Sequence, residues 1–494
     1  MTVVSRDDQT PVLVGIGVAT QKEDDWRNAL EPVALMAKAA DAACTEAGGA
    51  VMADRIGRVI VPEGLWAYGD PARTVADAIG APQASTTLVK LGVLQQTGIA
   101  VACESIRDGV CEAAVVVGGE ARFRALRATI AGDEAPETPD DRQPDDTLLP
   151  QEEFYLPGET NSGLGYMPVN YYALMESAYR HARGWSVEEG RDRVASLYSR
   201  FSEVSEGNPD AWKPGRVEPD VIRNPGERNP MLAFPYTKLH NTSWNVDQAG
   251  ALLLCSESLA DELEIPQAQR VYPLGSAQCE QMLSVALRQR LDSVPGVAAA
   301  GRALSEALGF PLSEVELVDL YSCFPVAVLA YASELEIPLE RDLTVTGGMP
   351  FAGGPLNNYV LQATCRMAQL LRERPGARGL VSSVSGLLTK QGLGVWSSLP
   401  PEQPFVQVDV TEEVESLNPP VKVLADYRGR ASVAGFTVVY SAGQPQQGVA
   451  MLDTDDGERV IAWTENPDQM RLMEEQDWCG RTVGCDGDQL VLNP

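Results

Sequence analysis

Two separate stretches of this chain repeat one order of elements. From about Gln95, and again from about Asn357, a helical pattern opens beside Gly or Asn and returns through a few polar residues. Each then gives a buried apolar strand ending in Gly or Ser, first CEAAVVVGGEA and then RGLVSSVSG. A strand that is apolar on both faces has to be covered on both, and a helix with an apolar stripe has to lie on such a strand. The repeat therefore points to two similar layered α/β halves.

The flanking sequence extends the alternation. TPVLVGIGVAT and RIGRVIVPEG read as strands on either side of the helix LEPVALMAKAADAACTEAGG, which stops at Gly48-Gly49. NVDQAGALLLCSES, VYPLGSA and VELVDLYSCF read as strands, the last running into the helices PVAVLAYASELEI and YVLQATCRMAQLLRER. Residues 132–153 are acidic and Pro-rich and are expected to form an exposed insertion. Residues 166–204 are helical in pattern, and the stretch to about 235 is irregular. After about 402, short β-like runs such as FVQVDV, ASVAGFTVVYS and RVIAWTE are separated by turns such as TDDG and CDGD, which suggests a small barrel-like domain.

Composition excludes several classes of function. With 494 residues the chain is long enough for two to four packed units, and 69 Asp and Glu against 39 Lys and Arg leave a net charge of −30. Such a charge repels phosphate backbones and anionic lipid headgroups. It is unevenly spread. Residues 402–494 hold 17 acidic and 6 basic residues, whereas residues 178–240 hold 9 acidic and 10 basic ones, so a phosphorylated ligand would dock on the latter. No run approaches the roughly 20 apolar residues of a membrane span, and MTVVSRDDQT is charged where a signal peptide is apolar, so a cytoplasmic location is expected. Nine cysteines form no C-x-x-C pair and only His181 and His240 are present, so no metal centre is expected. The phosphate-binding G-x-x-x-x-G-K-[ST] and the nucleophile-elbow G-x-S-x-G patterns are absent, and Gly15-Ile16-Gly17 lacks the third glycine of a dinucleotide fingerprint.

Four segments resemble the thiolase superfamily, especially its sterol-carrier-protein-associated (SCP2) branch. PVNYYALMESAYRHARGWSVEEGRDRV is similar to the helical loop domain that covers coenzyme A, and NVDQAGALLLCSE to the N-x-D-G-A-A-A strand entry. DLYSCF sits where that branch has H-D-C-F, and GGMPFAGGP where it has a Gly-Gly followed by G-H-P. The resemblance covers roughly residues 10–400. It implies a thiolase-like αβαβα layered fold of two similar halves, a helical loop domain and, added here, a small C-terminal β-barrel-like domain. The divisions it suggests are 1–130 and 236–300 for the N-terminal half, 131–235 for the acidic insertion and loop domain, 301–401 for the C-terminal half and 402–494 for the added domain.

The resemblance also implies handling of an acyl-CoA in lipid metabolism, with coenzyme A as substrate or ligand and no covalently bound cofactor. Thiolases need a cysteine thiolate, a base and two oxyanion holes. Here the nucleophile's position is filled by Gln95, the G-H-P histidine by Gly354, and the second cysteine falls near Ser383. Tyr321 opens the D-L-Y-S-C-F motif, with Ser322 in its acidic position. An amide cannot become a thiolate and glycine has no imidazole, so ordinary thiolysis is not expected. Cys323, before the helix that opens at Pro325, is the remaining candidate thiolate, since a helix N-terminus favours the anion. Tyr321 is a candidate acid or base, and Ser383 and Ser385 candidate oxyanion donors. His240, Trp244 and Asn245 are candidates to touch the coenzyme, and Gly353, Gly354, Asn357, Asn358 and Gly386 to form tight loops around the thioester.

Three outcomes stay open at this level: acyltransferase-type chemistry, lyase-type chemistry such as retro-aldol cleavage of a 3-hydroxyacyl-CoA, and acyl-CoA binding with catalysis lost. A homodimer joined edge to edge through the sheets is a fourth expectation, which the insertion or added domain would obstruct.

Overall fold

A computed structural model describes residues 9–152 and 159–492. The first four residues and more of the N-terminal segment, and Glu153 at the end of the acidic insertion, lie outside the described residues.

The first sheet orders its strands Pro11–Gln21, Asp247–Ser256, Ala113–Ala121, Ile56–Pro62, Ser85–Val89 and Asp146–Leu148. The second orders Leu317–Asp319, Arg378–Ser385, Lys390–Ser397, Tyr272–Cys279 and Val406–Asp409. The repeat seen in the sequence is the centre of both sheets. Helix Gln95–Arg107 leads to strand Ala113–Ala121, which pairs antiparallel with Asp247–Ser256, and helix Tyr359–Arg372 leads to Arg378–Ser385, which pairs antiparallel with Lys390–Ser397.

Those two helices form the middle layer between the sheets. Cys365 directs its thiol to the carbonyl of Ala251 in the first sheet at 3.4 Å, and the Thr97 hydroxyl donates to the Gln278 side chain in the second at 3.0 Å. Strand Ala113–Ala121 is buried at every residue because it is covered twice: Gly119 lies against Met36 of the outer helix Pro32–Glu46, and Gly118 faces the start of the central helix Tyr359–Arg372. Gly15 and Gly17 also serve packing, since a Cβ at either would collide with the carbonyl of Ala43 or Ala39 on the outer helix.

Two strands depart from the sequence reading. Tyr272–Cys279, assigned with the N-terminal half, belongs to the second sheet, and Val406–Asp409, assigned to the added domain, pairs parallel with it. The acidic insertion is exposed for most of its length, but Asp146–Leu148 covers the edge strand Ser85–Val89 in parallel register. Ion pairs hold it down, Asp146 with Arg58 at 2.8 Å and Asp145 with Arg73 at 3.0 Å.

The C-terminal strands close into a ring. Tyr427–Ser441 pairs with both Gln444–Asp453 and Thr482–Gly487. Gln444–Asp453 then pairs with Arg459–Thr464, which meets Gln489–Val491 in parallel, and that strand returns to Thr482–Gly487. Helix Pro467–Glu475 lies between the third and fourth strands. This is a five-stranded Greek-key barrel of the OB type.

The barrel is seated on helix Pro168–Ala182. The Phe436 amide donates to the Ser177 hydroxyl at 2.8 Å, and Val439 pairs with Ala233. Arg180, 1% exposed, lies between Glu176 at 3.1 Å and barrel residue Asp477 at 3.4 Å.

Candidate active site

The tips of the two central helices meet the segment 321–324 at the middle of the molecule. Gln95 opens the first helix, and its side-chain oxygen accepts the N–H of Val360 in the first turn of the second at 2.8 Å. Its amide also bonds the hydroxyl of Tyr321. The Tyr321 ring stands edge-on to Tyr359 with centroids 5.6 Å apart, and the Tyr359 hydroxyl donates to buried Asp319 at 2.8 Å. Ser322 is fully buried and its hydroxyl accepts the Met349 amide at 2.9 Å, so it shapes the loop rather than supplying an acid.

Cys323 precedes the helix Pro325–Glu334, as the sequence suggests, but its thiol is not activated. Burial pushes its pKa up to about 12, outweighing the lowering effects of a hydrogen bond with Tyr172 and of nearby backbone amides. The expected low-pKa thiolate is corrected on this ground. Tyr321 is shifted the same way, by burial first and by Cys323 second, so at neutral pH its phenol holds its proton and acts as a donor, not as a base. Tyr172 completes the group. Its ring stacks on Phe324 at 4.2 Å, and its hydroxyl reaches the Gly386 carbonyl at 3.4 Å.

The remaining candidates fall around this centre. Gly353 and Gly354 continue the loop beneath Ser243, whose carbonyl accepts the Gly354 amide at 3.0 Å. Asn357, at φ 53°, donates to the Glu63 carbonyl at 2.8 Å. Asn358 is the N-cap of the second central helix and 1% exposed, and neither side-chain polar atom has a partner among the described residues. Ser383 is buried, and its hydroxyl faces Gly392 across the strand pair and has no partner among the described residues. The Ser385 carbonyl accepts the Thr389 hydroxyl at 3.1 Å, and Gly386 turns at φ 67°. His240 lies behind Tyr198 and Tyr236, its ring 5.9 and 5.6 Å from theirs, and those two hydroxyls bond the Ser322 carbonyl and the Val326 amide. The histidine is 3% exposed, its Nδ1 accepts the Thr237 amide at 3.1 Å, and burial lowers its pKa to about 3.

Segment 241–245 roofs the centre. The Thr242 hydroxyl donates to the Cys323 carbonyl at 3.2 Å and the Ser243 hydroxyl to the Pro350 carbonyl at 2.8 Å. Trp244, next in the chain, is 47% exposed and has the Arg122 guanidinium 5.3 Å from its ring. Lys213 donates to the Ser243 hydroxyl at 3.2 Å, and its pKa is lowered by burial and by the nearby charges of Lys238 and Lys22. Asn245 is half-buried and leads into Asp247, whose carboxylate accepts the Arg124 amide at 2.9 Å.

Sequence reasoning passed over Glu120. It is the penultimate residue of the buried strand Ala113–Ala121, on the face that Gly118 turns toward Asn358, and it is itself fully buried. One oxygen accepts the Leu65 amide at 2.7 Å and burial raises its pKa to about 7. The visible signal was a carboxylate near the end of an otherwise apolar strand.

Two similar α/β halves, a pair of central helices between their sheets and a helical insertion leading to the roof make this the thiolase fold. No family model and no curated protein matches the chain. Among solved structures it is similar to a monomeric SCP2-thiolase-like protein type 1 from Mycobacterium smegmatis, with a TM-score of 0.81 at 24% identity over 99% of this chain and 100% of that one. It is also similar to an aldolase described as Ltp2-ChsH2(DUF35), with a TM-score of 0.59 at 16% identity over 79% of this chain and 98% of that one. The dimeric peroxisomal thiolase of Saccharomyces cerevisiae has a TM-score of 0.56 at 15% identity, over 80% of this chain and 98% of that one. No helix among the described residues is long and apolar enough to cross a membrane.

Proposed function

We propose that this chain binds an acyl-CoA thioester and acts on it, or presents it, without a cysteine nucleophile. The observation that carries this reading is the roof. In a chain of net charge −30, Arg122 lies on the exposed Trp244 ring and Lys213, close enough to Lys22 and Lys238 to feel their charges, bonds Ser243, in the segment whose Thr242 hydroxyl donates to the Cys323 carbonyl. Clustered cations with an aromatic face suit a phosphorylated nucleotide, and the thiolase-fold neighbours act on coenzyme A thioesters. Thiolysis is not part of the reading, because Gln95 and Gly354 supply neither thiolate nor imidazole and the Cys323 thiol stays protonated.

Calorimetric titration with coenzyme A and acetyl-CoA tests it. Lys213→Glu combined with Trp244→Ala is expected to weaken both at least about tenfold, the effect of losing a charge contact and a stacking face. Absence of binding to the unmodified chain overturns the proposal.

A second reading is favoured by the pairing of Tyr321 with Gln95 and by the poise of Glu120. In retro-aldol cleavage of a 3-hydroxyacyl-CoA, a base takes the hydroxyl proton, the Cα–Cβ bond breaks to release an aldehyde or ketone, and the enolate left on the thioester is protonated. A neutral Tyr321 phenol suits hydrogen bonding to the enolate oxygen, and a carboxyl with pKa near 7 suits proton transfer. Mass spectrometry of a 3-hydroxyacyl-CoA incubated with the chain decides it, since binding without product leaves an acyl-CoA-binding protein.

A further inference from the structure

A cavity of about 80 Å³ opens where the C-terminal half meets the segment leading to the barrel, lined among others by Arg288, Ser293, Gly296, Leu388, Thr389 and Asn418. We propose that it is a binding site for a short-chain organic carboxylate, held by the Arg288 guanidinium with its hydrocarbon against Leu388 and Val294.

Arg288 has no ion-pair partner among the described residues. Its Nε donates to the Leu283 carbonyl at 3.4 Å, one Nη to the Leu387 carbonyl at 2.6 Å, and the other to the Met175 sulfur at 3.2 Å. A guanidinium has five N–H donors, so two remain, the number a planar carboxylate takes. Glu159 acts on Arg288 through its charge but makes no ion-pair contact with it, and one of its oxygens accepts the Ala286 amide. A charge largely removed from water and hydrogen-bonded only to neutral acceptors is costly, and an anion entering the cavity relieves that cost. The pKa of Arg288, brought down by burial to about 10, reflects the same desolvation. The first turn of the 14-residue helix Pro295–Leu308 borders the cavity at Gly296 and adds the positive end of its dipole.

The position has a further meaning. The Leu387 carbonyl held by Arg288 follows Gly386, whose own carbonyl accepts from Tyr172, the residue bonded to Cys323. From the other side, barrel residue Arg459 donates to the Arg288 carbonyl at 3.1 Å. An anion on Arg288 therefore sits between the barrel and the thioester centre.

Titration of the full chain with butyrate, succinate and inorganic phosphate at fixed ionic strength tests the site. Saturable binding of butyrate or succinate is expected, weakened at least about tenfold by Arg288→Gln, the loss that follows removal of a charge-assisted hydrogen bond. Ser293→Asp, which places a negative charge in the half-buried wall without removing a bond to Leu387, is expected to weaken it equally while leaving coenzyme A affinity and the melting temperature unchanged. Failure of both carboxylates to bind, binding of phosphate in their place, or carboxylate binding undiminished by both substitutions overturns the proposal, and none of these outcomes bears on the thioester reading.

Discussion

The side-chain oxygen of Gln95 accepts the backbone N–H of Val360 at 2.8 Å, joining the tips of the two central helices. The residue at the expected nucleophile position is thus a structural tie. Gln95→Cys is expected to lower stability by about 1–2 kcal/mol, the cost of leaving a buried donor unmatched, and to yield no thiolase activity because Gly354 supplies no imidazole. Chemical denaturation and a thiolysis assay check the two parts.

Cys323 is expected to resist alkylation. With its pKa near 12 the thiolate fraction at pH 8 is negligible, so iodoacetamide should modify the native chain at this position far more slowly than the denatured chain. Peptide mass spectrometry reads the difference, and rapid modification of folded protein would contradict the burial argument.

Two groups give stability opposite slopes with pH. His240 has a folded pKa near 3, below the unfolded value, so its contribution is full above about pH 6.5 and is lost as pH falls toward 3. Glu120, at about 7 when folded, binds its proton more tightly folded than unfolded, so its contribution is full below about pH 4.5 and is lost as pH rises toward 7. Glu120→Gln is therefore expected to raise the melting temperature at pH 8 relative to the unmodified chain and to change it least at pH 4.5. Scanning calorimetry across that range provides the test.

The covering of strand Ser85–Val89 by Asp146–Leu148 favours a monomer, because it leaves at that edge a strand of only three residues, a short ladder for a second copy to pair with. Light scattering is expected to show a monomer, and deletion of residues 139–150 to promote association. A stable dimer of the intact chain would refute the reading.

Much of this architecture was legible in periodicity. The central helices and the strands that follow them were visible because apolar runs such as AAVVV have no other place than between two layers. Strand Asp146–Leu148 was hidden, since its residues are polar or only half-buried and its pairing is purely backbone. Val406–Asp409 was assigned to the wrong unit because alternation shows a strand but not the sheet it joins. At the site, residue types identified what Gln95 and Gly354 cannot do. They did not reveal that Cys323 would be buried and so stay neutral, because the segments that meet around it, helix Pro168–Ala182 with Tyr172 and the roof with Thr242 among them, are distant in the chain.

The junction at Arg180 removes a variable that governs assemblies built from separate subunits. Since Glu176 and Asp477 clasp it within one polypeptide, the barrel cannot be lost by dilution, and its local concentration at the helix Pro168–Ala182 is set by the tether rather than by expression level. Each copy of the layered body is made with its own barrel, in a fixed ratio of one to one.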